Sequence, residues 1–245
     1  MEPGTHTLMN HHDPDIVVEL KRTAKTEKAD WWNRYLKGTI PFLGAGIPEI
    51  RKILLESNRI EGLDQMPMNK QVGLVNRLIK GRFAEEKLAA ILYIQLFWLG
   101  KQKNSFLLHL ISDWFDERYI FDWNTTDWLS VKILTPMIDS QDPQVIWILK
   151  RWNRDPYLWK ARASLVSFAQ AHTFQDHTTE IERFCDILIR RQERFAKTAV
   201  GWVLREYSKK DPEFVLSFLS KHVKHTPAEV KRNALKYYRQ TTRPR

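Results

Sequence analysis

Side chains able to act together on a charged substrate occupy matching positions in a 36-residue pattern. Aromatic residues recur at this interval near the predicted starts of three helices: Trp123, Trp159 and Phe195. Asp127 follows the first aromatic residue by four positions, Arg162 follows the second by three, and Trp202 follows the third by seven. Positions three, four and seven residues along share one side of a helix. If the three helices are equivalent, a carboxylate, a guanidinium and an indole project into one groove.

Such a set suits cleavage of the N-glycosidic bond of a cationic purine nucleotide. Positive charge develops on the deoxyribose as the base leaves, and Asp127 would stabilise that charge or position a water molecule beside it. Indole faces at Trp123 and Trp202 would attract electron-poor groups, and Arg162 would bind a flanking phosphate. The spacing leaves an alternative open, in which Asp127 caps a helix or pairs with Lys132 and Trp202 belongs to the core.

The elements that must position these residues are predicted to be helices. Apolar residues recur with helical spacing over twelve stretches: 15–36, 48–57, 68–80, 84–98, 104–119, 123–137, 143–152, 156–171, 177–191, 194–208, 211–222 and 226–239. Four breaks place a capping residue before a proline that can open a helix: Asp142-Pro143, Asp155-Pro156, Asp211-Pro212 and Thr226-Pro227. Because no alternating strand pattern is found, the sequence predicts an all-α fold.

Helix pairs repeated at this interval favour a short solenoid of HEAT-like repeats. We therefore expect residues 15–240 to form one domain, a right-handed superhelix with a concave basic face that holds DNA. Residues 1–14 are polar and lack periodicity, so they are predicted to be a disordered lead-in.

The charge balance favours a polyanionic partner. Lys and Arg outnumber Asp and Glu by 39 to 29, which gives a net charge of +10, and cations placed on phosphates release condensed counterions. Ten tryptophans are expected to serve mainly as core, with a few lining a site. A helical scaffold that binds protein is the competing class, and its concave face would lack net basic charge.

Several other classes of protein are disfavoured. The one cysteine, Cys185, excludes an internal disulfide and is predicted to be a buried structural thiol. A metal-dependent nuclease would need clustered ligands, and the best pair, His222 and His225, is weak; neither metal nor cofactor is predicted. The longest apolar run, 89–99, is too short to span a bilayer, and no signal peptide is found. We expect a soluble monomer in the cytoplasm, associated with the nucleoid through DNA.

Four stretches resemble, in order and spacing, the AlkD-like DNA alkylation repair glycosylases, which are built from HEAT-like repeats. The most specific is Phe195-Ala-Lys-Thr-Ala-Val-Gly-Trp-Val-Leu-Arg-Glu-Tyr207. The others are Arg34-Tyr35-Leu36 followed by Phe42-Leu43-Gly44, then Trp123-Asn-Thr-Thr-Asp127, then Leu158-Trp159-Lys-Ala-Arg162-Ala163. The resemblance covers residues 30–240.

The resemblance implies roles for particular residues. Asp127 matches the family's catalytic aspartate, Trp123 and Trp202 match its active-site tryptophans, and Arg162 matches its DNA-backbone arginine. DNA-binding roles are also predicted for Tyr35, which matches the family's N-terminal tyrosine, and for two further residues: Trp159 and Arg205.

The resemblance also implies an activity, monofunctional excision of N3- and N7-alkylated purines from double-stranded DNA in base excision repair. Most glycosylases turn the target base into a pocket, whereas this family contacts the lesion through the backbone. A non-catalytic relative that binds distorted or branched DNA is the alternative. Such relatives tend to lose the aspartate, which this chain retains as Asp127.

Two departures from the family pattern bear on substrate range. Gly46 stands where the family often has a glutamine, which predicts extra room beside the lesion. The segment Trp123-Asn-Thr-Thr-Asp127 replaces the more usual Trp-Asp-Ser-Val-Asp. The preferred lesion therefore stays open among 3-methyladenine, 7-methylguanine and bulkier cationic adducts, as does the setting, general repair or protection against a genotoxic metabolite.

Overall fold

The structure is a computed structural model that describes residues 15–238, in which every regular element is a helix. The all-α prediction is therefore confirmed for this part of the chain. The chain divides into two compact units, one ending at Tyr93 and the other beginning at Ile94. The predicted lead-in, 1–14, and the last two residues of the predicted domain, 239–240, lie outside the described residues.

Over residues 15–93 the first unit contains five α-helices: α1 (Ile16–Arg22), α2 (Thr26–Tyr35), α3 (Ile47–Glu61), α4 (Met68–Lys80) and α5 (Ala84–Tyr93). The prediction of a single helix over 15–36 is wrong, because the chain leaves the helical path between α1 and α2. Lys25 is extended, with φ −130° and ψ 106°. Its amide donates to the carbonyl of Leu43 at 3.0 Å instead of continuing the helix.

The Phe42-Leu43-Gly44 stretch closes around a buried carboxylate. Glu85, on α5, accepts hydrogen bonds from the amides of Leu43 at 2.9 Å and Gly44 at 2.7 Å. Burial raises the pKa of Glu85, and these amide bonds oppose the shift. Gly44 has φ +92°, and a Cβ there would lie 2.1 Å from the carbonyl oxygen of Lys25. Glycine is therefore required where the loop passes over α2.

The second unit begins with a π-helical turn, Ile94–Trp98. As far as residue 238 it contains nine α-helices, with a further π turn, Ser130–Leu134, between the second and third. The helices are α6 (Asn104–Asp116), α7 (Trp123–Leu129), α8 (Thr135–Asp139), α9 (Pro143–Trp152), α10 (Leu158–Val166), α11 (Thr178–Ile189), α12 (Arg194–Tyr207), α13 (Pro212–Lys221) and α14 (Ala228–Ala234).

Two of the four predicted helix starts at Pro are confirmed. Asp142 and Asp211 cap α9 and α13 with their carboxylates, and each is followed by proline in the first turn. The other two are wrong. Asp155 bonds the amide of Tyr157 in a turn that precedes α10, and the hydroxyl of Thr226 donates backwards to the carbonyl of His222.

The three helices that carry the aromatic repeat lie next to one another. α10 contacts both α7 and α12, as equivalent positions in stacked repeats require. Ala163 and Ala199, which match Asp127 in the repeat, are fully buried. Small side chains at those two positions fit the close packing of the helices, whereas the first copy has a carboxylate.

Candidate active site

Asp127 and Arg162 form a two-pronged ion pair between α7 and α10. The Nε of Arg162 donates to Oδ1 of Asp127 and Nη2 donates to Oδ2, both at 2.8 Å. The convergence predicted from the repeat is thus confirmed for these two residues. The alternative partner, Lys132, instead places its ammonium over the indole of Trp128, 5.3 Å from the ring centre. The side chain of Asp127 remains 14% exposed and that of Arg162 only 5%.

Arg162 also binds the first turn of α12. Its Nη1 donates to the carbonyl of Phe195 at 2.6 Å and to the hydroxyl of Thr198 at 3.2 Å. These bonds and the two to Asp127 occupy four of the five N–H groups of a guanidinium. Arg162 therefore joins three helices and leaves little capacity for an external anion. Its predicted contact with a DNA phosphate stays a prediction.

Thr198 is a member of this network that the sequence patterns did not indicate. Thr198 follows Phe195 by three residues, and Arg162 follows Trp159 by three. The two side chains thus occupy the same repeat position, one copy apart, and meet across the α10–α12 contact. The repeat register carried this signal.

Burial and ion pairing act against each other on the acidity of Asp127. Burial raises the pKa of Asp127, because the charged form loses hydration, and the neighbouring Arg162 guanidinium lowers it again. The carboxylate is thus held in one orientation with a cation on one side, while part of its surface remains accessible.

A capping network fixes the start of α7 and explains its unusual residues. The buried carboxylate of Asp122 accepts the amide of Thr125 at 3.0 Å and the hydroxyl of the same residue at 2.5 Å. The hydroxyl of Thr126 donates to the carbonyl of Asp122 at 2.6 Å. The two threonines are fully buried, so the altered segment anchors the helix that presents Trp123 and Asp127 one turn apart.

A π turn begins three residues after Asp127. Within Ser130–Leu134 the helix widens, and the amide of Thr135 donates to the carbonyl of Ser130, five residues back. The hydroxyl of Thr135 donates to the carbonyl of Ser167 at 2.6 Å, which ties the turn to the chain just after α10. Such turns are frequent at functional sites. The Trp128–Lys132 pair beside the turn is a second feature that the sequence patterns did not indicate.

The remaining predicted residues of the second unit are placed as follows. Trp123 and Trp202 are half-buried; Trp202 lies one turn beyond Thr198 on α12. The indole of Trp159 packs on the ring of Phe195, with 5.3 Å between ring centres. Arg205 binds Glu206 through Nε and Nη2 and the side-chain oxygen of Asn233 through Nη1. The functions predicted for these side chains stay predictions.

Tyr35 and Gly46 belong to the first unit. Tyr35, at the end of α2, is 56% exposed and stacks on Trp31, with 5.0 Å between ring centres and 15° between planes. Gly46 precedes α3 with φ −83°, a conformation open to any residue. A Cβ at Gly46 would lie 2.5 Å from the carboxylate end of Glu49, a flexible group that can move. The roles predicted for Tyr35 and Gly46 stay predictions.

Three further observations concern other kinds of site. Cys185 is buried, and burial raises the pKa of its thiol, which confirms the predicted structural thiol. Within residues 15–238 no group of three His, Cys, Asp or Glu side chains is arranged to hold a metal ion. None of the helices in that range combines the length and apolar character needed to cross a membrane.

Comparison with known proteins identifies relatives of the whole described chain. A family model described as DNA alkylation repair enzyme matches residues 16–238. A predicted DNA alkylation repair enzyme from Enterococcus faecalis has a similar structure, with a TM-score of 0.74 and 18% identity over 88% of this chain and 96% of that one. AlkD2 from Streptococcus mutans gives a TM-score of 0.59 and 16% identity over 85% of this chain and 98% of its own. No curated protein matches the sequence.

At these identities the two structures show a shared fold and nothing further. The fold is that of the AlkD-type helical repeat proteins, as the sequence resemblance implies. The predicted concave basic face stays a prediction.

Proposed function

Because this chain belongs to the DNA alkylation repair enzyme family, we propose that it is a monofunctional DNA glycosylase. Its proposed substrates are cationic N3- and N7-alkylated purines in double-stranded DNA. The observation that carries the proposal is the partly exposed side chain of Asp127, whose carboxylate is held in one orientation by a buried arginine. Repair of alkylated DNA is the family's function, and this carboxylate is a group suited to glycosidic bond cleavage.

In the proposed reaction the bond between the sugar and the alkylated purine breaks with its electron pair moving to the base. An alkylated purine already carries positive charge, so it departs neutral and needs no proton from a general acid. The carboxylate of Asp127 stabilises the oxocarbenium-like sugar and directs a water molecule to it. Water addition completes the hydrolysis and releases one proton.

The protein's own residues supply position and charge in this scheme. Arg162 holds the carboxylate by two bonds, so little reorientation is needed as charge develops. Trp123, one turn before Asp127, and Trp202, one turn after Thr198, offer indole faces to an electron-poor sugar and base. The net charge of +10 supports attraction of the polyanionic duplex.

The experiment is single-turnover excision of 7-methylguanine from a duplex by the wild-type protein and by Asp127→Asn. The substitution keeps the shape and removes the charge, so excision should slow by about 10²-fold or more, with little change in duplex affinity. Asp113→Asn is the matched control. Because Asp113 is 56% exposed on α6, this variant should excise at the wild-type rate.

Two outcomes would overturn the proposal. Excision by Asp127→Asn at the wild-type rate would remove Asp127 from the chemistry. Failure of the wild-type protein to release any alkylated purine, together with tight binding of branched duplexes, would favour the non-catalytic alternative.

A further inference from the structure

A cavity of about 440 Å³ opens beside the Asp127–Arg162 network, between α12 and the C-terminal helix α14. Its lining residues are Thr198, Glu229, Val230, Arg232, Asn233 and Lys236. Thr198 connects it to the site, because the same hydroxyl accepts a hydrogen bond from Arg162 at 3.2 Å. The cavity therefore begins one side chain away from the guanidinium that holds Asp127.

The wall formed by α14 is fixed to α12 by packing and by polar contacts. Gly201 allows the close approach, since a Cβ there would lie 3.3 Å from the Cα and carbonyl oxygen of Val230. Arg194, at the start of α12, forms an ion pair with Glu229. The ammonium of Lys197 donates to the carbonyl of His225 at 3.3 Å. The cavity is thus built between two helices whose relative positions are held at several points.

Two of the five polar side chains that line this cavity are positively charged. Arg232 and Lys236 are exposed, and no carboxylate of residues 15–238 forms an ion pair with either. The acidic member of the lining, Glu229, is already bound by Arg194. Asn233 accepts from Arg205 through its side-chain oxygen at 3.4 Å, which leaves its amide N–H₂ as a donor. The hydroxyl of Thr198 already donates to the carbonyl of Phe195 at 3.4 Å. The two cations and the amide are groups that bind phosphate oxygens in protein–DNA contacts.

We infer that this cavity binds a backbone phosphate of the DNA strand whose lesion lies at Asp127. The inference rests on the proposed function for the identity of the partner and extends it to a site on α14. It also transfers to Arg232 and Lys236 the phosphate contact that the sequence predicted for Arg162. Four N–H groups of that guanidinium are already bonded within the protein, whereas Arg232 and Lys236 are exposed beside the same network.

The test compares Arg232→Gln/Lys236→Gln with a control, Arg154→Gln/Lys210→Gln. The control removes one arginine and one lysine that are exposed in the same unit but do not line the cavity. Affinity for an undamaged duplex is measured across a series of salt concentrations. Each phosphate contact contributes about 0.9 to the slope of log affinity against log salt. We expect the cavity variant to lose about 2 from that slope and the control to retain the wild-type slope.

The outcomes separate this inference from the proposed glycosylase activity. Equal slopes for the two double variants would overturn the inference, whether both slopes fall or neither does. A wild-type protein that excises nothing would remove the proposed function, while the slopes on undamaged DNA would still decide the phosphate site. Stabilisation of the wild-type fold by inorganic phosphate at constant ionic strength, with no difference in slope, would assign the cavity to a free phosphate ion and overturn the DNA assignment.

Discussion

Removing Arg162 should make the stability of the protein depend on pH through Asp127. Arg162→Leu places an apolar side chain in the buried site. It removes the partner of Asp127, whose side chain is only 14% exposed. Breaking a buried ion pair from one side costs about 3–5 kcal/mol. For a protein of this size that corresponds to a fall in melting temperature of about 6–20 °C.

The direction of the pH effect follows from the acidity of the carboxyl in each state. In the unfolded chain Asp127 ionises with a pKa of about 3.9. In the folded variant burial raises the pKa of Asp127, as it does in the wild type, and no guanidinium opposes the shift. Between the two pKa values the folded variant binds more protons than the unfolded chain. Its stability therefore falls as the pH rises, by up to about 1.4 kcal/mol per pH unit, and levels off above the folded pKa.

Denaturant unfolding of four proteins measures this effect: the wild type, Arg162→Leu, Asp127→Asn and the double variant. Relative to the wild type, Arg162→Leu should lose less stability near about pH 5 than near about pH 8, and the loss that remains at the lower pH reflects the bonds of Arg162 to Phe195 and Thr198. The double variant should lack this added pH dependence, because the ionisable group is gone. An equal loss at both pH values, or the same pH dependence in the double variant, would refute the assignment of a buried, arginine-dependent carboxylate.

Two further predictions concern catalysis. In the proposed mechanism excision needs ionised Asp127, and burial raises the pKa of that carboxyl. The single-turnover rate should therefore fall with decreasing pH around a midpoint above about 3.9, and a rate that stays constant down to that pH would contradict this. Because the site offers no strong acid to protonate a leaving base, bulky cationic N3-adenine and N7-guanine adducts should be excised while neutral hypoxanthine and uracil persist. Efficient removal of hypoxanthine together with rejection of every bulky cationic adduct would contradict that selectivity.

The proximity of Asp127 and Arg162 could be predicted because it depends on repeat symmetry, whereas their ion pair was not predicted. Helices at equal intervals occupy equivalent places in a stacked array, so residues at matching positions meet their neighbours one repeat away. The contact between Arg162 and Thr198 follows the same rule. The repeat spacing does not predict how many hydrogen-bond donors of a side chain remain free after the helices pack. The four internal bonds of Arg162 depend on the exact approach of α7, α10 and α12.

Local capping signals were less reliable than the repeat. Asp155 and Thr226 precede proline just as Asp142 and Asp211 do, yet only the latter two cap helices. An Asp-Pro or Thr-Pro pair is compatible with both a turn and a helix start, and tertiary contacts decide between them. After Asp155, the carbonyl groups of residues 155 and 156 accept hydrogen bonds from Arg191, which holds the segment as a turn.

The ion pair itself gives a physical reason for selectivity toward cationic lesions. A carboxylate bound by two guanidinium N–H groups has part of its field offset by the adjacent positive charge, so a neutral nucleoside gains little from its presence. In the proposed reaction a nucleotide that bears positive charge would interact with the accessible part of Asp127, where water is partly excluded and the interaction is stronger than in bulk solvent. As the bond breaks, that charge moves from the base to the sugar, and the carboxylate remains fixed by Arg162 to meet it. The same arrangement that restrains Asp127 would therefore favour the proposed substrates, which carry their own positive charge.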